Sequence, residues 1–318
     1  MPDERSDVNR LPFAMPGRFW RGNLHTHSTR SDGHLDPAET VAWYRDNGYD
    51  FVALTDHFVR RYGYRITDTT SLRGDGFTTL IGAELHAPRT EVGNLWHIVT
   101  AGLPLDFAPP APGETGPQLA ARAAASGAFV IVAHPAYYGL TVADVETIGS
   151  AHALEIYNGA SALAYEMGDS SHILDVLMSR GRRIDACATD DAHFEYPDYP
   201  DHGLAWVEVR AEKNDPDALV AALRAGHFYA SEGPKILDVN IDGDEVVVSS
   251  SPVMKVIASG GGERYECRYG LDLTEARLPL TFFRNGSFEV DPLLGSYLRV
   301  TVVDAQGKRA WTNPIWLS

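Results

Sequence analysis

The sequence predicts an α/β protein with a largely parallel sheet, followed from about residue 236 by a small all-β sandwich. Up to about residue 230, short apolar runs alternate with helix-like stretches, as in strands that crossover helices bury on both faces. After Pro234 helix patterns vanish, and short alternating segments separated by turn residues follow. We therefore expect a tail over residues 1–17, an α/β domain over 18–235 and the sandwich over 236–318.

The first helix of the α/β domain has a complete start signal. Asp36 is the expected N-cap, Pro37 occupies the first helical position, and Glu39 completes a capping box. Gly48 is the expected stop. Further helices are predicted over residues 117–126, 141–148 and 170–180, and from 215 to a stop at 226.

About seven strands are expected in the sheet. Each is a short run rich in apolar residues, and several end directly in polar residues. They are the opening strand before residue 25 and the runs 51–54, 80–82, 95–99, 129–132, 153–156 and 184–188. Residues 204–209 predict one more strand. In the sandwich, strands are predicted over 236–241, 246–249, 255–259, 278–283 and 297–303.

Charge and cysteine content restrict the class of protein. The net charge of −16 argues against nucleic-acid binding, because a phosphate backbone would be repelled by most of this surface. Cys187 and Cys267 lie far apart and form no disulfide framework. We see no secretory signal in residues 1–17 and no run of about 20 apolar residues. A cytoplasmic protein without a membrane span is expected, and its oligomeric state stays open.

The residues best suited to chemistry follow the strands. His25 and His27 point the same way in an extended segment, and Asp32 follows in a glycine-bounded turn. Six more candidates lie at or beside later strand ends: His57, Glu84, His97, His134, Asp191 and His193. The carboxyl ends of strands meet at one end of a βα barrel, where active sites lie. Imidazole and carboxylate groups gathered there predict a divalent metal site.

Half of the twelve histidines belong to this set. The other six have no comparable placement, and we expect surface or core roles for them: His34, His86, His152, His172, His202 and His227. Of these, His86 and His202 lie close in sequence to ligand segments and could line a pocket.

The order of these motifs resembles the PHP (polymerase and histidinol phosphatase) superfamily over roughly residues 20–230. The matching segments are His25-Thr26-His27, Ser31-Asp32-Gly33, Leu54-Thr55-Asp56-His57, Gly82-Ala83-Glu84, His97, Ala133-His134-Pro135 and Asp191-Ala192-His193. Some members carry histidine at the position of Asp32, and aspartate favours harder cations such as Mn²⁺ or Fe²⁺.

The resemblance implies a distorted seven-stranded (β/α) barrel with two to three divalent ions of Mn, Fe or Zn. The implied ligand sets of a trinuclear centre are His25, His27, Glu84 and Asp191 for one ion; Glu84, His97 and His134 for a second; and Asp32, His57 and His193 for a third. Glu84, Asp191 and His193 are the implied catalytic residues.

The implied activity is hydrolysis of a small-molecule phosphate ester, either a monoester or a diester, with a metal-bridging hydroxide as nucleophile. Hydrolysis of a carboxyl or carbamate ester at the same metals is an alternative. A second alternative is an inactive binding or structural module. Against that second alternative, none of the nine ligand positions has been replaced.

Candidate substrate-binding residues are less well defined. Arg30 lies inside the opening motif, and Arg60 and Arg61 follow His57, so each could meet a phosphate, although solvated surface arginines are equally expected. Asn158 follows a strand and is a weaker candidate.

Two more segments, one at the end of the α/β domain and one near the end of the chain, point to one branch of this superfamily. Residues 226–234 and 310–315 are similar to a carbaryl-hydrolase-like branch of the superfamily, in which some members cleave carbamates. Tyr229 and Ser231 could face the pocket from the first segment, or could only pack at the domain junction.

Overall fold

The computed structural model describes residues 11–74, 76–195, 199–285 and 296–317, so residues 1–10 of the predicted tail lie outside it. The strands are β1 (Arg18–Asn23), β2 (Phe51–Leu54), β3 (His57–Phe58), β4 (Thr78–Pro88), β5 (Leu95–Ala101), β6 (Phe129–Val132), β7 (Ala153–Asn158), β8 (Asp185–Thr189), β9 (Trp206–Ala211), β10 (Phe228–Ser231), β11 (Ile236–Asp242), β12 (Glu245–Ser259), β13 (Tyr265–Pro279), β14 (Tyr297–Val303), β15 (Arg309–Thr312) and β16 (Ile315–Trp316). The helices are α1 (Pro37–Asp46), α2 (Gly116–Ala125), α3 (Pro135–Tyr138), α4 (Val142–Thr147), α5 (Gly159–Tyr165), α6 (Ser171–Ser179), α7 (Pro216–Arg224) and α8 (Thr281–Asn285).

The strands form one continuous mixed sheet. Its order is β11-β12-β14-β15-β10-β9-β1-β2-β4-β5-β6-β7-β8, with β13 on β12, β16 on β14 and β3 on β4. β2 lies parallel to β1 and β4, and β7 lies parallel to β6 and β8. β5, in contrast, is antiparallel to both β4 and β6. The prediction of a largely parallel sheet was therefore too simple, because residues 89–94 are too few for a crossover helix between β4 and β5.

The predicted barrel and separate sandwich are not confirmed. Within the described ranges, the path of paired strands ends at β8 and at β11 without a closing pair, so the sheet is open. The C-terminal strands continue this sheet, because β15 pairs with β10 from Tyr229–Thr312 to Ser231–Ala310. The domain division at residue 236 stays a prediction.

The helix-start signal of α1 is confirmed. The Asp36 side chain accepts the backbone N–H groups of Ala38 and Glu39, and the Glu39 side chain accepts the N–H of Asp36. Val41 and Tyr44 of this helix are buried in one cluster with Val52 of β2. Full burial of such a side chain contributes about 1.5–3 kcal/mol, which fixes α1 beside the strand that leads into the site.

The C-terminal strands have an apolar cluster of their own. It includes Val246 and Val256 of β12 and Leu298 and Val300 of β14, all almost fully buried.

Among the described helices, none is long and apolar enough to cross a membrane.

Candidate metal centre

Glu84 lies at the centre of the site, inside β4. The sequence placed it at a strand end, but β4 continues to Pro88 because β3 pairs with its second half, which sets His57 directly opposite Glu84. His97 also lies within a strand, β5, instead of beside its end. The positional prediction was wrong for these two residues, although both point into the same cluster as the others.

Six histidine rings have a nitrogen no farther than 3.8 Å from the carboxylate of Glu84, which is 1% exposed. Oε1 lies 2.7 Å from His97 Nδ1, 3.1 Å from His134 Nε2 and 3.6 Å from His25 Nε2. Oε2 lies 2.5 Å from His57 Nδ1. One carboxylate is thus shared among imidazoles from the segment after β1, from β3, β4 and β5, and from the residue before α3. This is the arrangement of a bridging metal ligand.

Asp191 joins the cluster from the loop after β8. Its Oδ1 lies 3.1 Å from His25 Nε2 and 3.1 Å from His27 Nε2. Both Asp191, at φ 55°, and His134, at φ 29°, have left-handed backbone conformations that non-glycine residues adopt rarely. Such conformations concentrate at functional sites, where the surrounding structure compensates for their cost.

Asp32 marks the open end of the cluster. Its side chain is 39% exposed, with Oδ2 3.1 Å from His57 Nε2 and Oδ1 3.6 Å from His193 Nε2. His27 Nδ1 lies 3.7 Å from the same Oδ1. His27 therefore belongs to this group as well as to the group around Glu84 and Asp191.

Glu155, which the sequence did not single out, orients His25. His25 Nδ1 donates to Glu155 Oε1 at 2.7 Å, so the proton resides on Nδ1 and the lone pair of Nε2 faces the cluster. Carboxylates commonly hold metal-binding histidines in this way. The sequence did contain a signal for this role, because a glutamate in the apolar run 153–156 is expected to be buried and then needs a partner for its charge.

Two further aspartates shape the loops that carry the ligands. Asp56 is buried and accepts hydrogen bonds from the backbone and side chain of Ser28 and from the hydroxyl of Thr67. Asp190 is fully buried and accepts the backbone N–H groups of residues 203–205. These contacts fix the loop after His27 and the loop next to Asp191.

Neighbouring members of the cluster shift one another's pKa values in different directions. Burial, reinforced by His193 and His57, lowers the pKa of His27 to about 3. Burial lowers the pKa of His57 too, but Glu84 and Asp32 outweigh it and raise the value to about 10. Burial favours the neutral form of Glu84, yet His97 and His57 bring its pKa well below the usual range. The site thus combines an ionised carboxylate with imidazoles that bind cations when neutral.

Buried donor atoms fit divalent ions at this place. His25 Nε2 and Glu84 Oε2 are buried and make no hydrogen bond of good geometry among the described residues, so a cation would satisfy their lone pairs. The described residues contain four groups of side chains that could each hold an ion. Within each group, the ligand atoms lie within 4.8 Å of one another. Together the groups contain all nine predicted ligands and His86. They are His27, Asp32, His57 and His193; His57, Glu84, His86 and His97; His25, His27 and Glu84; and His25, His134 and Asp191.

A cavity of about 530 Å³ opens over the cluster. Seven of the predicted ligands line it, together with α5 and four tyrosines: Tyr137, Tyr138, Tyr165 and Tyr199. Among the described residues of its lining there is no lysine or arginine. A larger groove of about 830 Å³, beside α7, contains none of the predicted ligands.

The predicted phosphate-binding arginines lie elsewhere. Arg30, Arg60 and Arg61 are exposed, and none of them lines the cavity. The guanidinium of Arg61 lies 5.2 Å from the ring of Tyr62. The structure therefore gives no support to a substrate contact by these three residues.

Asn158 is buried beneath the cluster. It donates to Glu155 Oε2 at 3.0 Å and to Asp191 Oδ2 at 3.1 Å, and it accepts the N–H of Ser161. It does not line the cavity, so its contacts support the orientation of the ligands instead of a substrate contact.

Tyr229 and Ser231 lie at the junction of β10 with the C-terminal strands. Tyr229 is 2% exposed and packs between Phe13 and Phe19. The hydroxyl of Ser231 donates to the carbonyl of Pro234. Neither residue lines the cavity, which leaves packing as the alternative supported by their contacts.

No known family profile matches the sequence, and no curated protein matches it. One solved structure is similar over most of both chains: a two-domain protein from Bacteroides vulgatus that contains a predicted PHP-like metal-dependent phosphoesterase. The TM-score is 0.50 at 15% identity, over 91% of this chain and 93% of that one. Identity this low shows a shared fold alone.

Two other structures resemble part of the chain. A candidate metal-dependent phosphoesterase from Bifidobacterium adolescentis has a TM-score of 0.41 at 13% identity, over 56% of this chain and 89% of that one. An amidohydrolase from Chromobacterium violaceum with bound sulfate and no metal has a TM-score of 0.40 at 14% identity, over 54% and 87%.

Proposed function

We propose that the protein is a metal-dependent hydrolase of a small-molecule phosphate ester, either a monoester or a diester. The observation that carries this proposal is the convergence of all nine predicted ligands into four overlapping groups, two of which contain the buried carboxylate of Glu84, next to a cavity large enough for a small molecule. Residues that served only as surface or core groups would have no reason to gather at one place from segments spread over residues 25–193.

Hydrogen bonds hold two histidines of the site in the tautomer that can bind a metal through Nε2. His25 Nδ1 donates to Glu155, and His193 Nδ1 lies 2.9 Å from the carbonyl oxygen of Asp191, which can only accept. Both rings therefore carry the proton on Nδ1 and present the lone pair of Nε2. Two or three divalent ions of Mn, Fe or Zn would supply hydroxide at neutral pH and neutralise charge that develops on a phosphoryl group.

Glu84, Asp191 and His193 are the proposed catalytic residues, because all three line the cavity and lie in the ligand groups. The substrate enters at the Asp32 end in this proposal, because Asp32 and His193 are the more exposed members of the cluster. Tyr138, whose ring centre lies 4.1 Å from that of His97, forms part of the cavity wall.

The test is a screen of metal-reconstituted protein against phosphomonoesters, phosphodiesters and aryl carbamates, with metal content measured in parallel. We expect turnover of a phosphate ester that depends on bound Mn, Fe or Zn. Metal-loaded protein that cleaves carbamates and no phosphate ester would refute the phosphoesterase proposal.

Carboxyl or carbamate ester hydrolysis is the second candidate, and one observation favours it. The described lining of the cavity holds four tyrosines and no lysine or arginine, so the protein itself offers no cation to a phosphate. A neutral carbonyl ester makes no such demand. The inactive-module alternative differs from both, because it predicts bound metal without turnover of any ester.

Membership of the PHP superfamily is part of the same proposal. Its support is the order of the nine ligand motifs and the fold shared with the Bacteroides vulgatus protein, which is described as containing a PHP-like phosphoesterase. The carbaryl-hydrolase-like branch rests on residues 226–234 and 310–315, which form the paired strands β10 and β15. A cytoplasmic location and the use of a small-molecule substrate are also proposed on sequence alone.

A further inference from the structure

His86 lies inside the cluster, although it is outside the nine-ligand pattern. It follows Glu84 by two residues on β4, so both side chains project from the same face of the strand. The register sets His86 directly opposite His97 on β5, and the two rings lie 4.1 Å apart. His86 is 8% exposed, so its ring is held within the protein next to predicted ligands.

The contacts of His86 have the spacing of ligands on one ion. Its Nε2 lies 2.9 Å from His57 Nδ1 and 3.5 Å from Glu84 Oε2. Two ligand atoms that each lie about 2.0–2.2 Å from a Zn²⁺-sized ion are separated from each other by roughly 2.9–3.5 Å. The donor atoms of His57, Glu84, His86 and His97 all lie within 4.8 Å of one another.

Hydrogen bonding alone leaves this group incompletely satisfied. His57 Nδ1 faces both Glu84 Oε2 and His86 Nε2, but a single ring nitrogen carries at most one proton to donate. Glu84 Oε2 is buried and accepts no hydrogen bond of good geometry. Lone pairs that converge without enough donors between them call for a cation.

We propose that His86 is a tenth metal ligand, which binds through Nε2 an ion shared with Glu84, His97 and His57. Three imidazoles and one carboxylate favour borderline cations such as Zn²⁺, Co²⁺ or Fe²⁺ over Mn²⁺ at this position. His134 then serves the ion held by His25 and Asp191. This inference rests on the metal site of the proposed function, and it does not depend on the reaction that the site carries out.

The first test measures binding without turnover. Metal-free wild-type protein and the variant His86→Gln are titrated with Co²⁺ and Zn²⁺ by calorimetry, and the bound ions are counted after dialysis. We expect the variant to lose one tightly bound ion, or to bind it roughly tenfold or more weakly. The matched control is His202→Gln, because His202 stacks on Phe194 and belongs to none of the ligand groups among the described residues.

The second test looks for a new absorption band in a cysteine variant of His86. A thiolate on Co²⁺ gives a charge-transfer absorption, so Co²⁺-loaded His86→Cys should show a band that wild type and His202→Cys lack. Unchanged Co²⁺ and Zn²⁺ affinity in His86→Gln together with no band in His86→Cys would overturn the proposal. Weaker binding in His86→Gln without the band would also overturn it, because His86 would then only position His57.

The result separates this inference from the proposed function. A wild-type chain that binds no ion would overturn both. Bound ions that depend on His86, with no ester turned over, would leave this inference standing and refute the proposed reaction alone.

Discussion

Replacement of Glu155 by glutamine should weaken metal binding although Glu155 itself is no predicted ligand. Its Oε1 accepts from His25 Nδ1 at 2.7 Å and from the Thr189 hydroxyl at 2.8 Å. Its Oε2 accepts from the backbone N–H of His134 at 2.6 Å and from Asn158 Nδ2 at 3.0 Å. Both carboxylate oxygens are therefore fully used by donors.

A glutamine can satisfy only one side of this network. If its oxygen faces His25, its NH₂ group meets the N–H of His134; in the opposite orientation, its NH₂ group meets Nδ1–H of His25. Either way a buried donor is left without an acceptor, which costs about 1–3 kcal/mol. Loss of an orienting carboxylate typically weakens metal binding about 10–100-fold, or about 1.4–2.7 kcal/mol. The cost of the unpaired donor and the cost of losing the orienting carboxylate therefore have the same magnitude.

The assay is calorimetric titration of metal-free Glu155→Gln with Zn²⁺ or Mn²⁺, followed by ester hydrolysis at saturating metal. We expect a 10–100-fold weaker affinity and partial recovery of turnover when metal is in excess. Glu208→Gln is the matched control, because Glu208 is also buried but contacts Trp206 Nε1 instead of the cluster. Affinity of Glu155→Gln within twofold of wild type would show that Glu155 does not orient His25.

Three other perturbations test separate parts of the reasoning. Asp191→Asn removes a charge that faces His25 and His27, so it should abolish hydrolysis and lower the bound metal per chain; full metal content by elemental analysis would contradict the ligand assignment. Arg30→Ala should keep kcat and KM on phosphate esters within twofold, because Arg30 is exposed and outside the cavity lining; a large rise in KM would restore it to the site. Burial, with Arg224, lowers the pKa of His152 from 6.5 to about 4, so its neutral form stabilises the fold above pH 6.5 and this contribution is lost as pH falls from 6.5 towards 4. Urea unfolding of wild type and His152→Asn should therefore show a smaller loss of stability in the variant over this range, and parallel curves would count against the assignment.

Local elements of the fold could be predicted because their signals are local. The capping box of Asp36 and Glu39 joins residues three apart, and the apolar run 51–54 forms β2 with the predicted bounds. The ligand motifs are short segments too, so their order along the chain identified the residues that the structure gathers. Residue type and spacing over a few positions carried these predictions.

Strand order and strand direction could not be predicted from such local signals. The apolar run that begins β4 does not show that the second half of β4 pairs with β3, or that the chain then reverses to form the antiparallel strand β5. This pairing places Glu84 inside a strand and sets His86 beside His97 and His57. A histidine with no motif of its own thereby becomes part of the cluster.

The tertiary structure alone decided what surrounds each ligand. His25 and Glu155 are 130 positions apart, and they meet only because β1 and β7 belong to one sheet. Arg30 lies three residues after His27, yet its side chain is exposed while that of His27 is buried. The sequence determined which residues can bind a metal, through their chemistry and local spacing. Long-range packing decided which of them meet, because contacts across a sheet depend on strand order and not on distance along the chain.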